Sequence, residues 1–226
     1  MQALQQLVDR LMSLFAVGLG FPEDFFAEET DVGSPENNTM LDYTKHHSLE
    51  GIELGKLRQS ANRITAHTDE SLITLLLHSP GSVGLESAAG RDGQAVGSED
   101  GHYKVDRWEP CPSKPGCIIV NIGDMLQYWS DGLLKSNFHR VRLPQEGEPQ
   151  AERYTIAWFV WPRDGAVIQG PKKRYPPTTM RDFMKARASL NFLEDPARLS
   201  ICFLLSQSHI ESHKCTPQVQ SQLSRP

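Results

Sequence analysis

RITAHTDESLITLLLH, residues 63–78, joins a polar triplet, His67-Thr68-Asp69, to the apolar run ITLLL at 73–77. The run is short and bounded by turn-forming residues, which predicts a strand rather than a helix. In extended backbone, residues two apart project to one face, so the His67 imidazole and the Asp69 carboxylate are expected to converge on a common point. Such a pair offers two metal ligands. Alone it is a weak signal, because a chain with 8 His and 28 acidic residues yields about one H-x-[DE] by chance. The sequence contains a decoy with the same spacing, His209-Ile210-Glu211. It lies in a polar tail with only His213 as a near neighbour, and is read as having no metal-binding role.

Outward from that stretch, the pattern repeats itself as strands. CIIVN (117–121), FHRVRL (138–143) and RYTIAWFVW (153–161) are short apolar runs separated by Gly, Pro and Asp. His139 sits in the second of these, NFHRV. Two neutral imidazoles and one carboxylate on one side of a metal leave the opposite positions open, the arrangement associated with non-haem Fe(II) oxygenases. Arg153 and Thr155, two apart in RYTIAWF, share a face on which a guanidinium beside a hydroxyl can grip a carboxylate. Tyr154, Ile156, Trp158 and Val160 take the opposite face.

These segments, ITAHTDESLITLLL, PGCIIVNIGDMLQYWSDGLLKSNFHRV and RYTIAWFVWP, resemble in order, spacing and flanking residues the iron/2-oxoglutarate-dependent oxygenases of the isopenicillin N synthase-like group, across about residues 63–162. The resemblance implies a mainly β fold, a double-stranded β-helix (a jelly-roll or cupin-like barrel) with flanking α-helices. It implies Fe(II) as metal, held by His67, Asp69 and His139, with no catalytic residues beyond these ligands. It implies 2-oxoglutarate and O2 as cosubstrates, the far carboxylate of the oxo acid falling to Arg153 and Thr155, with Thr in place of the family's Ser. Tyr43, in NTMLDYTKHH, is a weaker candidate for the same cosubstrate. The activity implied is oxidation of a small organic molecule: hydroxylation, or desaturation or ring chemistry, in secondary metabolism. The rival expectation is a catalytically inert, truncated barrel that serves as a binding protein or is an incomplete gene product. Family members carry a longer N-terminal portion, whereas only about 65 residues precede His67 here, so the front of the family's chain is expected to be missing.

Three regions are expected: an N-terminal helix and connecting segment at 1–62, the oxygenase barrel at 63–175, and a C-terminal helix with a loose tail at 176–226. Leu4, Leu7, Val8, Leu11, Phe15 and Leu19 fall on one helical stripe, frayed by Gly18 and Gly20. TTMRDFMKARASLNFL has helical composition, and the polar stretch between Glu86 and Asp106 reads as a loop. His46, His47, His78 and His102 are read as surface or supporting residues rather than ligands. Asn121 and Asp124 are read as shaping a strand-end turn. Trp129, Trp158, Phe159 and Trp161 are assigned to the core.

The whole composition agrees with a globular domain. A chain of 226 residues with net charge -5 is long enough to bury roughly 70% of its extended surface, and it lacks the basic footprint that nucleic acid demands. No membrane span is expected. Cys111, Cys117, Cys202 and Cys215 include no C-x-x-C pair, which points to reduced thiols, and Cys111 and Cys117 flank a Pro-rich turn as structural residues. A monomeric, cytoplasmic protein is the resulting expectation.

Overall fold

The computed structural model describes residues 2–57, 62–88 and 107–191. The decoy His209-Ile210-Glu211 with His213, His102, Cys202, Cys215 and most of the expected 86–106 loop lie outside them. The chain runs α1 (Gln2–Leu19), β1 (Met40–His46), β2 (Asn62–His67), β3 (Ile73–His78), β4 (Leu85–Ser87), β5 (Glu109–Pro110), β6 (Ile119–Ile122), α2 (Asp124–Trp129), β7 (His139–Arg142), β8 (Arg153–Val160), β9 (Val167–Ile168), β10 (Thr178–Thr179) and α3 (Met180–Asn191). The expected strands and helices are present within a residue or two. α1 runs through Gly18 and stops where Gly20 takes a positive φ of 84°, a conformation that costs glycine little.

Two four-stranded sheets form the body, in the orders β1-β8-β3-β6 and β2-β7-β4-β5, with every pairing antiparallel. This is the double-stranded β-helix. β1 lies N-terminal to the 63–175 range expected for the barrel, and it is nonetheless paired along its whole length with β8, from Met40 opposite Phe159 to His46 opposite Arg153.

The first sheet has two unlike faces. Residues directly opposite one another in antiparallel strands share a face, so the pairs Leu75–Trp158 and Ile73–Val160 point one way. They join Val8, Met12 and Ala16 of α1, Phe26, and Met125, Leu126 and Trp129 of α2 in one buried apolar cluster. Trp129 and Trp158 are thus core residues, as expected. Thr74, His78, Arg153 and Thr155 occupy the other face, toward the barrel interior, where Thr74 meets Asp69. Hydrophobic burial on the outside of the sheet therefore fixes strands whose inner face is polar.

The segment after α1 is integral to this core. Phe26 is buried and packs edge-on against Trp129 at 5.1 Å and Phe25 at 4.9 Å. Removing so large a buried ring leaves a cavity that the surroundings only partly fill. Phe26→Ala is expected to destabilise the fold by about 3–5 kcal/mol, read as a lower urea midpoint with an unchanged slope. A midpoint within experimental error of the parent would mean that the segment is not part of the cooperative unit.

Candidate metal centre

β2 and β7 pair so that His67 lies directly opposite His139, and the two ring centroids are 4.3 Å apart. β2 ends at His67. Asp69 therefore does not reach the site by strand alternation, as the sequence reading had it, but from the turn into β3. Its Oδ1 lies 3.7 Å from Nε2 of His67 and 3.7 Å from Nε2 of His139. One ligand atom from each residue falls within 4.8 Å of the others, and among the described residues this is the group of three that could hold a metal ion.

Each ligand atom is oriented by a bond made elsewhere on the same side chain. Nδ1 of His67 lies 2.8 Å from the carbonyl oxygen of Thr65, and Nδ1 of His139 lies 3.1 Å from that of Asn137. A carbonyl only accepts, so Nδ1 carries a proton in each ring, and the matching tautomer has its Nε2 lone pair directed at the shared point. The Thr74 hydroxyl donates to Asp69 Oδ2 at 2.6 Å, joined by the Asn121 amide at 3.4 Å, which leaves Oδ1 facing the same point as the two Nε2 atoms. Burial pushes the His139 pKa below the usual histidine range. The charge of Asp69 opposes this, that of His67 adds to it, and the Asn137 carbonyl opposes it. The ring is therefore neutral at physiological pH, the form that ligates metal.

The turn carrying Asp69 is clamped by the start of α2. The backbone N–H groups of Gly123, Asp124 and Met125 donate to the carbonyls of Leu72, Asp69 and Ser71 at 2.9, 2.8 and 3.2 Å. A Cβ at Gly123 would stand 2.1 Å from the Ser71 carbonyl oxygen, so only glycine permits this approach. From α3, Arg187 reaches Asp124 Oδ2 at 2.6 Å, and the Thr68 hydroxyl donates to the same oxygen at 3.1 Å. The sequence reading missed Thr74, Gly123 and Arg187 as supports and took Asn121 and Asp124 for turn formers alone. A lone threonine inside ITLLL was the available signal for Thr74; nothing local marks the other two.

Arg153 and Thr155 are both buried on the inner face of β8, 4% and 6% exposed. Nε and Nη1 of Arg153 have no hydrogen-bond partner. Desolvation by burial, with the charge of Arg63 second, lowers the Arg153 pKa to about 10, which still leaves a cation. A buried, unpaired guanidinium is costly unless an anion meets it. Tyr43 does not share these surroundings. It is exposed and stacks on Tyr154 at 6.0 Å, on the outer face of β1 and β8. An even offset from His46 would have placed it inside; it is three residues away, and the parity of the strand sends it out.

The profile of the 2OG-Fe(II) oxygenase superfamily matches residues 36–162. The chain belongs to that superfamily. It is 31% identical over 147 residues to the 2-oxoglutarate-dependent dioxygenase caaD of Aspergillus niger, covering 65% of this chain and 39% of that protein. It is 32% identical over 156 residues to the validamycin A dioxygenase of Streptomyces hygroscopicus subsp. limoneus, covering 69% and 37%. The crystal structure of a full-length Neurospora crassa protein in complex with alpha-KG (2-oxoglutarate) superposes with a TM-score of 0.65 over 81% of this chain and 53% of that one, at 24% identity, which shows the shared fold. The chain spans about two fifths of the length of the curated relatives it matches. The cofactors of the superfamily, Fe(II) and 2-oxoglutarate, suit the donor set described above. Among the described residues no helix is long and apolar enough to cross a membrane.

Two outcomes follow from the geometry. Thr74→Val keeps the shape but deletes the bond to Asp69 Oδ2, and is expected to weaken Fe(II) or Mn(II) binding by roughly ten- to a hundredfold with the fold intact; equal affinity in metal titrations would remove Thr74 from the site. The second concerns pH. His46, His78 and His139 all have pKa values lowered by burial, so below the ordinary value of about 6.5 the unfolded chain binds more protons than the folded one. Stability of the metal-free protein is thus full above about pH 6.5 and falls with acidification below it, before the carboxylates titrate. A urea midpoint that stays flat from about pH 7 to 5 would contradict this.

Proposed function

We propose that the chain is the catalytic barrel of an Fe(II)- and 2-oxoglutarate-dependent oxygenase acting on a small organic molecule, of the kind met in secondary metabolism. Hydroxylation is the outcome proposed first, with desaturation or ring chemistry open to the same ligand set. One observation carries the reading. Nε2 of His67, Nε2 of His139 and Oδ1 of Asp69 face a common point, while the remaining polar atoms of all three side chains are held by other partners.

His67, Asp69 and His139 would hold the iron. Bound there, the metal supplies the coupling of O2 to oxidative decarboxylation of 2-oxoglutarate, giving succinate and CO2, and to oxidation of a substrate C–H bond. The chain's own contribution is geometric and electrostatic. Two imidazoles ligating through unprotonated nitrogens and one carboxylate would contribute a single negative charge, so a divalent ion held there would keep a net positive charge suited to the carboxylate next to the 2-oxo group. Arg153 offers Nε and Nη1, its unpartnered atoms, to the far carboxylate. Thr155 supplies a hydroxyl on the same face. Burial of Arg153 and Thr155 excludes water from that carboxylate, which strengthens both contacts. The relative named for validamycin A supports a small-molecule substrate.

The test is anaerobic addition of Fe(II) and 2-oxoglutarate, followed by oxygen. A metal-to-ligand charge-transfer band and then succinate are expected. Absence of both from the folded protein would favour an inert barrel. Asp69→Ala is expected to abolish iron retention, and an unchanged iron content after desalting would refute the ligand assignment.

A further inference from the structure

The pair Arg153 and Thr155 is not alone on its face. In the register of β1 and β8, His46 stands opposite Arg153 and Thr44 opposite Thr155. In that of β3 and β8, His78 stands opposite Thr155 on the other side. Both residues of the R-x-T pair are thus flanked on the inner face by an imidazole from a neighbouring strand. A second guanidinium comes from the facing sheet. β2 is irregular between Asn62, paired with Arg142, and Ile64, paired with Val141, and such a bulge re-aims the extra residue. That residue is Arg63. Arg63 lies on β2, the strand that carries His67, and its Nη1 is buried without a hydrogen-bond partner; its charge bears on Arg153 and on His46 in the same direction.

The polar atoms here are unmatched. Arg153 Nε and Nη1, Arg63 Nη1, His46 Nε2 and His78 Nδ1 are all buried with no hydrogen-bond partner. Among the described residues neither guanidinium forms an ion pair with a carboxylate; burial lowers the pKa of both, and for Arg153 the charge of Arg63 adds to it. Two arginines that share a partly desolvated pocket repel each other, and an anion between them converts that repulsion into two charge-assisted contacts.

We propose that Arg63, with the imidazoles of His46 and His78, completes the anion pocket of Arg153 and Thr155, so that the far carboxylate of 2-oxoglutarate is held by two guanidiniums instead of one. The proposal rests on the oxygenase reading above. Its consequence is selectivity: Arg63 acts on the second carboxylate and not on the 2-oxo end that meets the metal, so it favours a dicarboxylic oxo acid over a monocarboxylic one of equal length.

The experiment titrates the anaerobic Fe(II)-loaded protein with 2-oxoglutarate and with 2-oxopentanoate, following the charge-transfer band. Arg63→Gln is expected to raise the dissociation constant for 2-oxoglutarate roughly ten- to a hundredfold, while leaving Fe(II) affinity and any 2-oxopentanoate binding unchanged. Arg63→Lys, which keeps the charge and loses the fork, is expected to recover part of the loss and serves as the test if the glutamine variant does not fold. Arg153→Gln is the reference. If it loses 2-oxoglutarate while Arg63→Gln binds as the parent does, the two-arginine pocket is wrong and the oxygenase reading stands. Equal weakening of both oxo acids, or of Fe(II) itself, would likewise overturn the proposal, since Arg63 would then support the metal site. If the parent protein itself gives no band, the oxygenase reading falls and this inference with it.

Discussion

The Asp69 carboxylate is nearly out of contact with water, and a charge in that position has to be matched on every side. Thr74 and Asn121 satisfy one oxygen, and the other is turned on two imidazoles whose protons are committed elsewhere. Two lone pairs and a negative charge facing one point form an arrangement that repels itself until a cation arrives. Everything nearby serves to keep it in place. β2 and β7 bring the rings opposite each other, β3 and β6 bring the hydroxyl and the amide, and the first turn of α2 holds the ligand-bearing turn by three backbone bonds. The bareness of Gly123 is what allows α2 to come that close.

The same division of labour runs through the sheet containing β8. Its outer face is apolar and lies under α1 and α2, and its inner face carries Thr74, His78, Arg153 and Thr155. Burying cations and hydroxyls is unfavourable by itself. Here the apolar contacts of the opposite face, Trp158 and Val160 against Leu75, Ile73 and the helices, hold the strand in a register that leaves the polar side chains no alternative. Packing on one side of a strand is thus the source of preorganisation on the other.

The alternation in RYTIAWFVW separated the two faces of β8 from the sequence alone, because every second side chain differs in kind. The convergence of His67, Asp69 and His139 was equally legible, although the route by which Asp69 arrives, a turn closed by another element, was not. Tyr43 shows the limit. An aromatic residue on a strand has an inside and an outside, and the choice depends on a register that only the pairing with β8 reveals. Gly123 and Arg187 act through contacts with residues distant in the chain, so no local pattern announces them. His46 and His78 were read only as surface or supporting residues; their places opposite Arg153 and Thr155 follow from cross-strand pairings that the linear order conceals.

The three members of the His67, Asp69 and His139 group are unequally sheltered: the side chain of His67 is 41% exposed, against 5% for Asp69 and 10% for His139. The cluster therefore has a wet flank and a dry one. Whatever travels between bulk solvent and the shared point, whether a hydrated ion or a chelator removing it, meets His67 first. Traffic is biased to the β2 side of the mouth, and the aspartate with its dry imidazole forms the anchorage behind it.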